Sequence, residues 1–211
     1  MTCEREVVVF VAAAAAAYLV GSVNFAVIAG RLAGAGDPRG AGSGNAGANN
    51  LLRTAGWRVA LLVLALDFAR AAGVVLGARF VGPEELASLV VLPLLLGNLY
   101  PCFHGFRGGK GVAAVTGAFL AVDPIIPLLA GPVFLAVVGL FRRVSAGSML
   151  MICSYPALAF LLGAPSDTVA VAGTCALAIL FTHRANIRRL ARGEEPRISV
   201  GNTRSANKEG A

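Results

Sequence analysis

The chain has 211 residues, of which 57% are hydrophobic and only 14% are charged. Soluble domains usually carry about 25% charged residues, so the composition excludes a water-solvated domain, a solvated coiled coil and a disordered chain. The formal net charge of +7, from 18 Lys and Arg against 11 Asp and Glu, indicates phospholipid head groups or an anionic substrate rather than nucleic acid. The composition predicts an all-α, polytopic integral membrane protein.

Apolar stretches recur along the chain between short polar breaks. The first is long enough to cross a bilayer core, which needs about 20 apolar residues. The acidic residues at its start and its length argue against a secretory signal peptide. Several later stretches are shorter, and three of them contain prolines, as tilted or kinked membrane helices can. The sequence predicts about seven transmembrane helices, or five or six if short ones are re-entrant, at residues 7–28, 57–75, 86–96, 112–121, 125–141, 149–162 and 169–181.

The basic residues support the count of seven. With seven spans, 15 of the 18 basic residues lie on one side of the membrane; the exceptions are Arg5, Arg70 and Arg79. Because Lys and Arg concentrate in cytoplasmic loops, we expect the N-terminus outside and the C-terminus in the cytoplasm. Every Gly-rich and basic loop then lies on the cytoplasmic face. We expect residues 1–193 to form one transmembrane domain and residues 194–211 to form a polar, mobile tail.

The first inner loop, residues 40–50, is rich in Gly and Asn and contains Ser43 and Asn45. Glycines allow the backbone to approach a ligand, and backbone N–H groups of such a loop can hold phosphate. The loop matches GxGxxG formally, but a transmembrane segment precedes it instead of the strand that dinucleotide sites require. Arg53 follows one turn later if a helix begins at Asn49. The alternative is a flexible linker with ordinary inner-face arginines.

The second inner loop reads His104-Gly-Phe-Arg-Gly-Gly-Lys-Gly-Val112. It fails the Walker A pattern, because His104 stands where that pattern needs Gly and Gly111 where it needs Ser or Thr. Lys110, on a Gly-rich turn that opens a helix, still makes a good anion site. The alternative is a simple surface turn with two positive charges.

The remaining inner breaks are less specific. Ser145 and Ser148 could cap the helix that follows them. His183 and Asn186 share one face if the segment after the last span is helical, although a basic helix on anionic lipid would look the same. Within the second span, Asp67 and Arg70 are spaced i, i+3. We expect them to form a structural ion pair, with a proton or substrate path as the alternative.

No metal or cofactor is expected. The four cysteines form no CxxC pair, and there are two histidines, His104 and His183, too few for a multi-histidine metal centre.

Together, these segments resemble the acyl-phosphate-dependent glycerol-3-phosphate acyltransferase family of bacterial membranes, the PlsY type. The resemblance covers most of the chain and depends on the order and spacing of several short motifs. They are Tyr18-Leu-Val-Gly-Ser22, Gly42-Ser-Gly-Asn-Ala-Gly-Ala-Asn-Asn50, Leu66-Asp-Phe68, Gly97-Asn-Leu-Tyr-Pro101, Gly105-Phe-Arg-Gly-Gly-Lys-Gly-Val112, Val144-Ser-Ala-Gly-Ser148 and His183-Arg-Ala-Asn-Ile187.

The resemblance implies a seven-span enzyme that transfers a fatty acyl group from long-chain acyl phosphate to the sn-1 hydroxyl of glycerol-3-phosphate. The products would be lysophosphatidic acid and phosphate, formed in phospholipid synthesis at the cytoplasmic face of the bacterial inner membrane. The resemblance implies no metal and no cofactor, and a partner enzyme would supply the acyl phosphate. The implied phosphate-binding residues are Ser43, Asn45, Arg53, Lys110, Ser148 and Asn186. The implied catalytic residues are Lys110 and His183.

The chain departs from the family pattern at Asn49, Asn98 and Arg70, where the family usually has Thr, His and Lys. These changes leave the phosphate-binding set intact but admit a paralogue with another substrate. A transporter or channel for an anionic metabolite is the main alternative, and it should show polar residues continuing through the spans. A CDP-alcohol phosphotransferase would need a cluster of aspartates, which Asp67 alone does not provide.

Overall fold

The computed structural model describes residues 3–198, and all regular structure in that range is helical, which confirms the all-α prediction there. Each predicted apolar stretch lies largely within one or two helices. In chain order the α-helices are α1 (Cys3–Gly21), α2 (Phe25–Leu32), α3 (Ala48–Thr54), α4 (Trp57–Val81), α5 (Glu84–Leu89), α6 (Val91–Leu99), α7 (Val112–Val122), α8 (Ile125–Phe141), α9 (Val144–Leu161), α10 (Ser166–Thr182) and α11 (Arg184–Ala191). Short 3₁₀ helices occur at Pro38–Gly40 and Cys102–His104.

Four helical stretches are long and apolar enough to cross a membrane: Glu4–Leu32, Trp57–Val81, Glu84–His104 and Val144–Leu161. The α10–α11 pair, bent by 61°, makes a fifth if it is counted as one span. α7 and α8 are apolar but shorter, at 11 and 17 residues. The described residues therefore contain four or five spans by length and composition, and the number seven stays a prediction.

Several of the predicted stretches differ from the structure in where a helix breaks or begins. The stretch 7–28 is broken between α1 and α2, where the Asn24 side chain caps α2 by accepting the Val27 N–H at 3.0 Å. The stretch 86–96 is divided between α5 and α6. The sixth predicted stretch, 149–162, corresponds to α9, which begins earlier, at Val144. Ser145 and Ser148 therefore lie inside α9, and the prediction that they cap it is wrong.

Small residues allow the long helices to pack closely. At Gly117 of α7, an added Cβ would lie 2.6 Å from the Phe68 Cα of α4. Large apolar side chains also point outward, including Phe80 at 89% exposure and Leu140 at 78%. Outward apolar surface of this extent would be unfavourable in water and suits a lipid environment.

Asp67 and Arg70 form the expected ion pair inside α4, with Nη2 of Arg70 3.0 Å from Oδ1 of Asp67. Arg70 also donates through Nη1 to the carbonyl oxygens of Gly21, at 3.0 Å, and Val23. These carbonyls border the break between α1 and α2, where helical hydrogen bonding is interrupted. The pair therefore braces the break that leads into α2.

Candidate active site

The first inner loop is an ordered structure built around the buried side chain of Asn50. Its amide Nδ2 donates to the carbonyls of Pro38, at 2.7 Å, and Ala41, at 3.0 Å, while its Oδ1 accepts the Ser43 N–H at 2.8 Å. Gly42 adopts a positive φ of 60°, a conformation that favours glycine. These bonds hold residues 38–43 in one turn, so the alternative of a flexible linker does not describe this loop.

The second inner loop is fixed by backbone hydrogen bonds to the end of α6. The N–H of Gly108 donates to the Leu99 carbonyl and the N–H of Gly109 to the Asn98 carbonyl, both at 3.1 Å. A Cβ at Gly108 would overlap these carbonyl oxygens, so the close approach requires glycine. A Cβ at Gly109 would lie 3.0 Å from the Ala46 carbonyl oxygen, so the two inner loops are in contact.

Arg39 joins the same two loops at a second point. Its Nη1 donates to the His104 carbonyl at 2.6 Å. Its Nε and Nη2 bind both carboxylate oxygens of Asp37, at 2.9 and 2.6 Å. The hydrogen bond from Arg39 is the largest of the effects that lower the pKa of Asp37 below its usual value. Arg39 therefore works as a structural clamp between the loops.

Lys110 lies at the centre of a polar network beside the second inner loop. Its Nζ donates to Oδ1 of Asn186, and Nδ2 of Asn186 donates to Oε1 of Glu195 at 2.6 Å. The same Glu195 oxygen accepts the Ser145 hydroxyl at 2.6 Å, and the other oxygen accepts Nε of Arg189 at 2.7 Å. The network brings together the second inner loop, α9, α11 and the segment after α11.

The electrostatics of this network suit a binding site for an anion. Burial lowers the pKa of Lys110 to about 8, the nearby Glu195 carboxylate opposes this shift, and the positive charges of Arg189 and Arg53 add to it. Within residues 3–198, one Lys110 N–H is used, by Asn186, which leaves two donors for a ligand. The second N–H of the Asn186 amide is also not required by the network. A phosphate beside the second loop could therefore accept hydrogen bonds from a charged donor, Lys110, and a neutral donor, the Asn186 amide.

His183 lies in the break between α10 and α11 and is buried. Its Nδ1 is 2.8 Å from the Ile179 carbonyl oxygen, and a carbonyl can only accept, so Nδ1 carries the proton and Nε2 is an acceptor. Burial first, and then the charge of Lys110, lower the pKa of His183 to about 4. The imidazole is therefore neutral at pH 7, and its unprotonated Nε2 has no hydrogen-bond partner within residues 3–198.

The structure places some of the predicted site residues next to Lys110, and others have no contact with it by hydrogen bonding within residues 3–198. Lys110 and Asn186 are bonded, and Arg53 and His183 lie within electrostatic reach of Lys110. Ser148 is buried on α9, one turn after Ser145. Within residues 3–198, no hydrogen bond joins Ser148, or the two first-loop residues Ser43 and Asn45, to Lys110. Ser43 is exposed and Asn45 is half-buried.

Sequence reasoning missed Glu195, which it assigned to a mobile tail beginning at residue 194. Glu195 is buried, with three hydrogen-bond donors around its carboxylate. The Ile198 N–H also donates to the Arg142 carbonyl at 2.7 Å. A buried carboxylate therefore attaches residues 194–198 to the bundle, and the mobility of the tail stays a prediction. Residues 199–211 lie outside the described part of the chain. The sequence feature that could have indicated this contact is a carboxylate close to the arginines that follow α10.

Comparison with known proteins identifies the family. The family model described as glycerol-3-phosphate acyltransferase matches residues 11–193. A glycerol-3-phosphate acyltransferase of Jannaschia sp. (strain CCS1) is 42% identical over 182 residues, which are 86% of this chain and 89% of that protein. A glycerol-3-phosphate acyltransferase of Thermus thermophilus is 43% identical over 183 residues, 86% of this chain and 92% of that protein.

Two solved structures share the fold. The crystal structure of PlsY, an integral membrane glycerol 3-phosphate acyltransferase, in its glycerol 3-phosphate form has a TM-score of 0.85 and 34% identity, covering 90% of this chain and 96% of that one. Its lysophosphatidic acid form has a TM-score of 0.82 and 33% identity, covering 90% and 95%. These matches confirm the resemblance seen in the sequence motifs. The chain belongs to the glycerol-3-phosphate acyltransferase family.

Proposed function

We propose that this acyltransferase moves a fatty acyl group from acyl phosphate to the sn-1 hydroxyl of glycerol-3-phosphate, giving lysophosphatidic acid and inorganic phosphate. The observation that carries the proposal is the bonded pair of Lys110 and Asn186, held by Glu195 beside two ordered Gly-rich loops. The glycerol 3-phosphate and lysophosphatidic acid forms of the related PlsY support acceptor and product. A long-chain acyl phosphate, supplied by a partner enzyme, is the donor in this proposal.

The phosphate of glycerol-3-phosphate binds at the Lys110 network. Lys110 contributes two free N–H groups, and Asn186 contributes the second hydrogen of its amide. Arg53 adds positive charge from α3. The three neutral side chains that the family resemblance adds to this set complete the proposed phosphate site: Ser43, Asn45 and Ser148.

The reaction needs no acyl-enzyme, because acyl phosphate is already activated. The sn-1 oxygen attacks the acyl carbonyl carbon, the bond from that carbon to the phosphate oxygen breaks, and phosphate leaves. The hydroxyl proton passes to a phosphate oxygen or to Nε2 of His183, which is unprotonated at pH 7. Lys110 and the N–H groups of the second loop stabilise the developing negative charge. Holding the two substrates together supplies much of the acceleration, since effective molarities can remove about 7–11 kcal/mol of barrier.

We also propose seven spans in the bacterial inner membrane, with the N-terminus outside and the C-terminus and active site in the cytoplasm. Four long spans, the bent α10–α11 pair and the two shorter apolar helices α7 and α8 support this number. The concentration of basic residues in alternate loops supports the orientation. Single cysteines placed at Arg58 and at Glu85 of the cysteine-free protein test it in intact cells. An impermeant thiol reagent should label only the cysteine at 85, and the reverse pattern would contradict the orientation.

The activity is tested with purified protein, glycerol-3-phosphate and either palmitoyl phosphate or palmitoyl-CoA. We expect phosphate and lysophosphatidic acid to appear in equal amounts with the acyl phosphate only. Lys110→Ala should abolish turnover in a protein that still folds. Ser43→Ala and Ser148→Ala should raise the KM for glycerol-3-phosphate more than the KM for the donor. Folded wild-type protein that is inactive with both donors would refute the proposed reaction.

A further inference from the structure

The two faces of α11 differ in chemistry. The inward face carries the buried Asn186, which belongs to the Lys110 network. The outward face carries Arg184, Arg188 and Arg192, and all three residues are exposed. Because they are spaced four residues apart, they lie along one side of the helix. We call these three residues the arginine ridge. The function proposed above uses the inward face and leaves the ridge without a role.

The charge of the ridge is not neutralised by the described part of the fold. Within residues 3–198, none of its three guanidinium groups forms an ion pair with a carboxylate. The neighbouring Arg189 is different, because it is half-buried and binds Glu195 at 2.7 Å. Like charges four residues apart repel each other and destabilise a helix, so an anion bound to the ridge would stabilise α11. The ridge is therefore suited to an anionic partner.

The ridge continues an outward apolar stripe of α10. Leu177 and Phe181 are one turn apart on α10 and are 71% and 60% exposed. Arg184 follows them, and its guanidinium carbon lies 4.7 Å from the centre of the Phe181 ring. An apolar side chain, then an aromatic ring, then an arginine is the order found where a span leaves the bilayer, since the ring lies at head-group level and the arginine reaches the polar surface. The ridge therefore begins at the membrane interface.

The rest of α11 stays close to the same interface. The helix is bent by 61° from α10, so it does not continue along the axis of that helix. Beyond its far end, the Gly193 carbonyl accepts Nη2 of Arg143, the residue before α9, at 3.3 Å. α11 therefore connects the inner ends of α10 and α9 over a length of about 12 Å. Ile187, between two ridge arginines, is also 42% exposed and adds an apolar contact beside the charges.

We propose that the arginine ridge binds the head groups of anionic phospholipids in the inner leaflet. Guanidinium groups bind phosphate through paired hydrogen bonds, and each basic residue near an anionic leaflet strengthens binding about fivefold. An acidic protein surface would match the charge alone, whereas the exposed Phe181 and Ile187 beside the arginines match a lipid. Lipid held on the outward face also keeps Asn186 in place on the inward face. This effect on the site rests on the proposed function, and the lipid site itself does not.

Hydrogen exchange of the full-length protein in lipid nanodiscs tests the lipid site without any substrate. The discs contain phosphatidylcholine alone or an equal mixture of phosphatidylcholine and phosphatidylglycerol. The backbone amides of α11 should exchange about tenfold more slowly in the mixture, because bound head groups oppose local opening of the helix. The triple variant Arg184→Gln/Arg188→Gln/Arg192→Gln should lose this difference, and Arg188→Gln alone should lose part of it.

Arg58→Gln is the matched control for the exchange experiment. Arg58 is also exposed and also lies over an aromatic ring, that of Trp57, but on α4. This variant should keep the slower exchange of α11 in the mixed discs. The same exchange of wild-type α11 in both discs would overturn the lipid site and favour an acidic protein as the partner. An equal loss in Arg58→Gln and in Arg188→Gln would also overturn it, because the effect would then come from surface charge in general.

Steady-state kinetics in the same discs test the effect on the active site. The ratio of wild-type to triple-variant kcat/KM for glycerol-3-phosphate should rise about fivefold from phosphatidylcholine to the mixture. An anionic membrane repels this substrate from both proteins alike, so the repulsion cancels in the ratio. A constant ratio would overturn the coupling between the ridge and Asn186. Wild-type inactivity in both discs would refute the proposed reaction instead, since the exchange result does not depend on turnover.

Discussion

Replacing Glu195 by Ala should both destabilise the protein and impair the active site. The variant removes the acceptor of two buried hydrogen bonds, from Ser145 and Asn186, each at 2.6 Å. Hydrogen bonds to a charged partner contribute about 1.5–3 kcal/mol each. The bond to Arg189 adds little, because that side chain is 37% exposed and its charge is screened by solvent.

The expected loss is therefore about 3–6 kcal/mol, close to the usual cost of about 3–5 kcal/mol for removing one partner from a buried polar network. For a chain of this size, that corresponds to a fall in Tm of roughly 6–24 °C. The Tm is measured in detergent with a thiol-reactive dye that reports exposure of the buried Cys175. Glu194→Ala is the matched control, because the neighbouring Glu194 is exposed.

The contribution of Glu195 to the stability of the folded protein should also depend on pH. Burial raises the pKa of its carboxyl, but the hydrogen bonds from Ser145, Asn186 and Arg189 outweigh burial and place it below the usual 4.5. A carboxyl with a lowered pKa stabilises the folded state above its unfolded pKa, and this stabilisation is lost as the pH falls through the folded value. The Tm difference between wild type and Glu195→Ala should be constant above about pH 5 and shrink in more acidic buffer. Equal Tm and equal KM for glycerol-3-phosphate in the two proteins at pH 7 would refute this account of the network.

Three further results are expected. Raising the pH from 7 to 9 removes the Lys110 charge, whose pKa is about 8, so the KM for glycerol-3-phosphate should rise about tenfold in wild type. It should rise less in Lys110→Arg, which stays charged; the same profile in both would exclude Lys110 as the titrating group. Gly108→Ala places a Cβ on the carbonyls that hold the second loop, and should reduce phosphate release about 100-fold or more, whereas Gly73→Ala, with open space around it, should be active. Arg70→Met leaves Asp67 unpaired and should cost about 3–5 kcal/mol, seen as a lower Tm. Adding Asp67→Asn should restore part of that loss, and a purely additive effect would show that the two residues do not interact.

The sequence predicted the helices because long apolar runs have few other ways to satisfy their backbone in lipid. It did not predict the break at Asn24, since one polar residue in an apolar stretch gives no sign that it will cap a new helix. That cap depends on contacts far along the chain. The Asn24 N–H lies 3.4 Å from Nε2 of His104, 80 residues away, and its side chain faces the Ala46 carbonyl.

The site was predictable to the extent that its chemistry is local. A Lys on a Gly-rich turn before a helix indicates an anion site from a few adjacent residues, and Lys110 is bonded within such a network. Glu195 could not be found in this way, because its partner Ser145 is 50 residues away and no periodic pattern relates the two. The role of the Asn50 amide in organising the first loop was not predicted either, because its partners are backbone groups of Pro38, Ala41 and Ser43 that no sequence pattern indicates.

The departures from the family pattern at Asn98 and Asn49 leave the Lys110 network in place. Asn98 holds the second loop through its backbone carbonyl, which accepts the Gly109 N–H at 3.1 Å and which any residue could provide. The Asn49 side chain is exposed on α3 and forms no hydrogen bond within residues 3–198. Neither change removes a donor from the Lys110 network. An amide at position 98 does remove a titratable group, so the pH dependence of catalysis in this chain should come from Lys110 and His183.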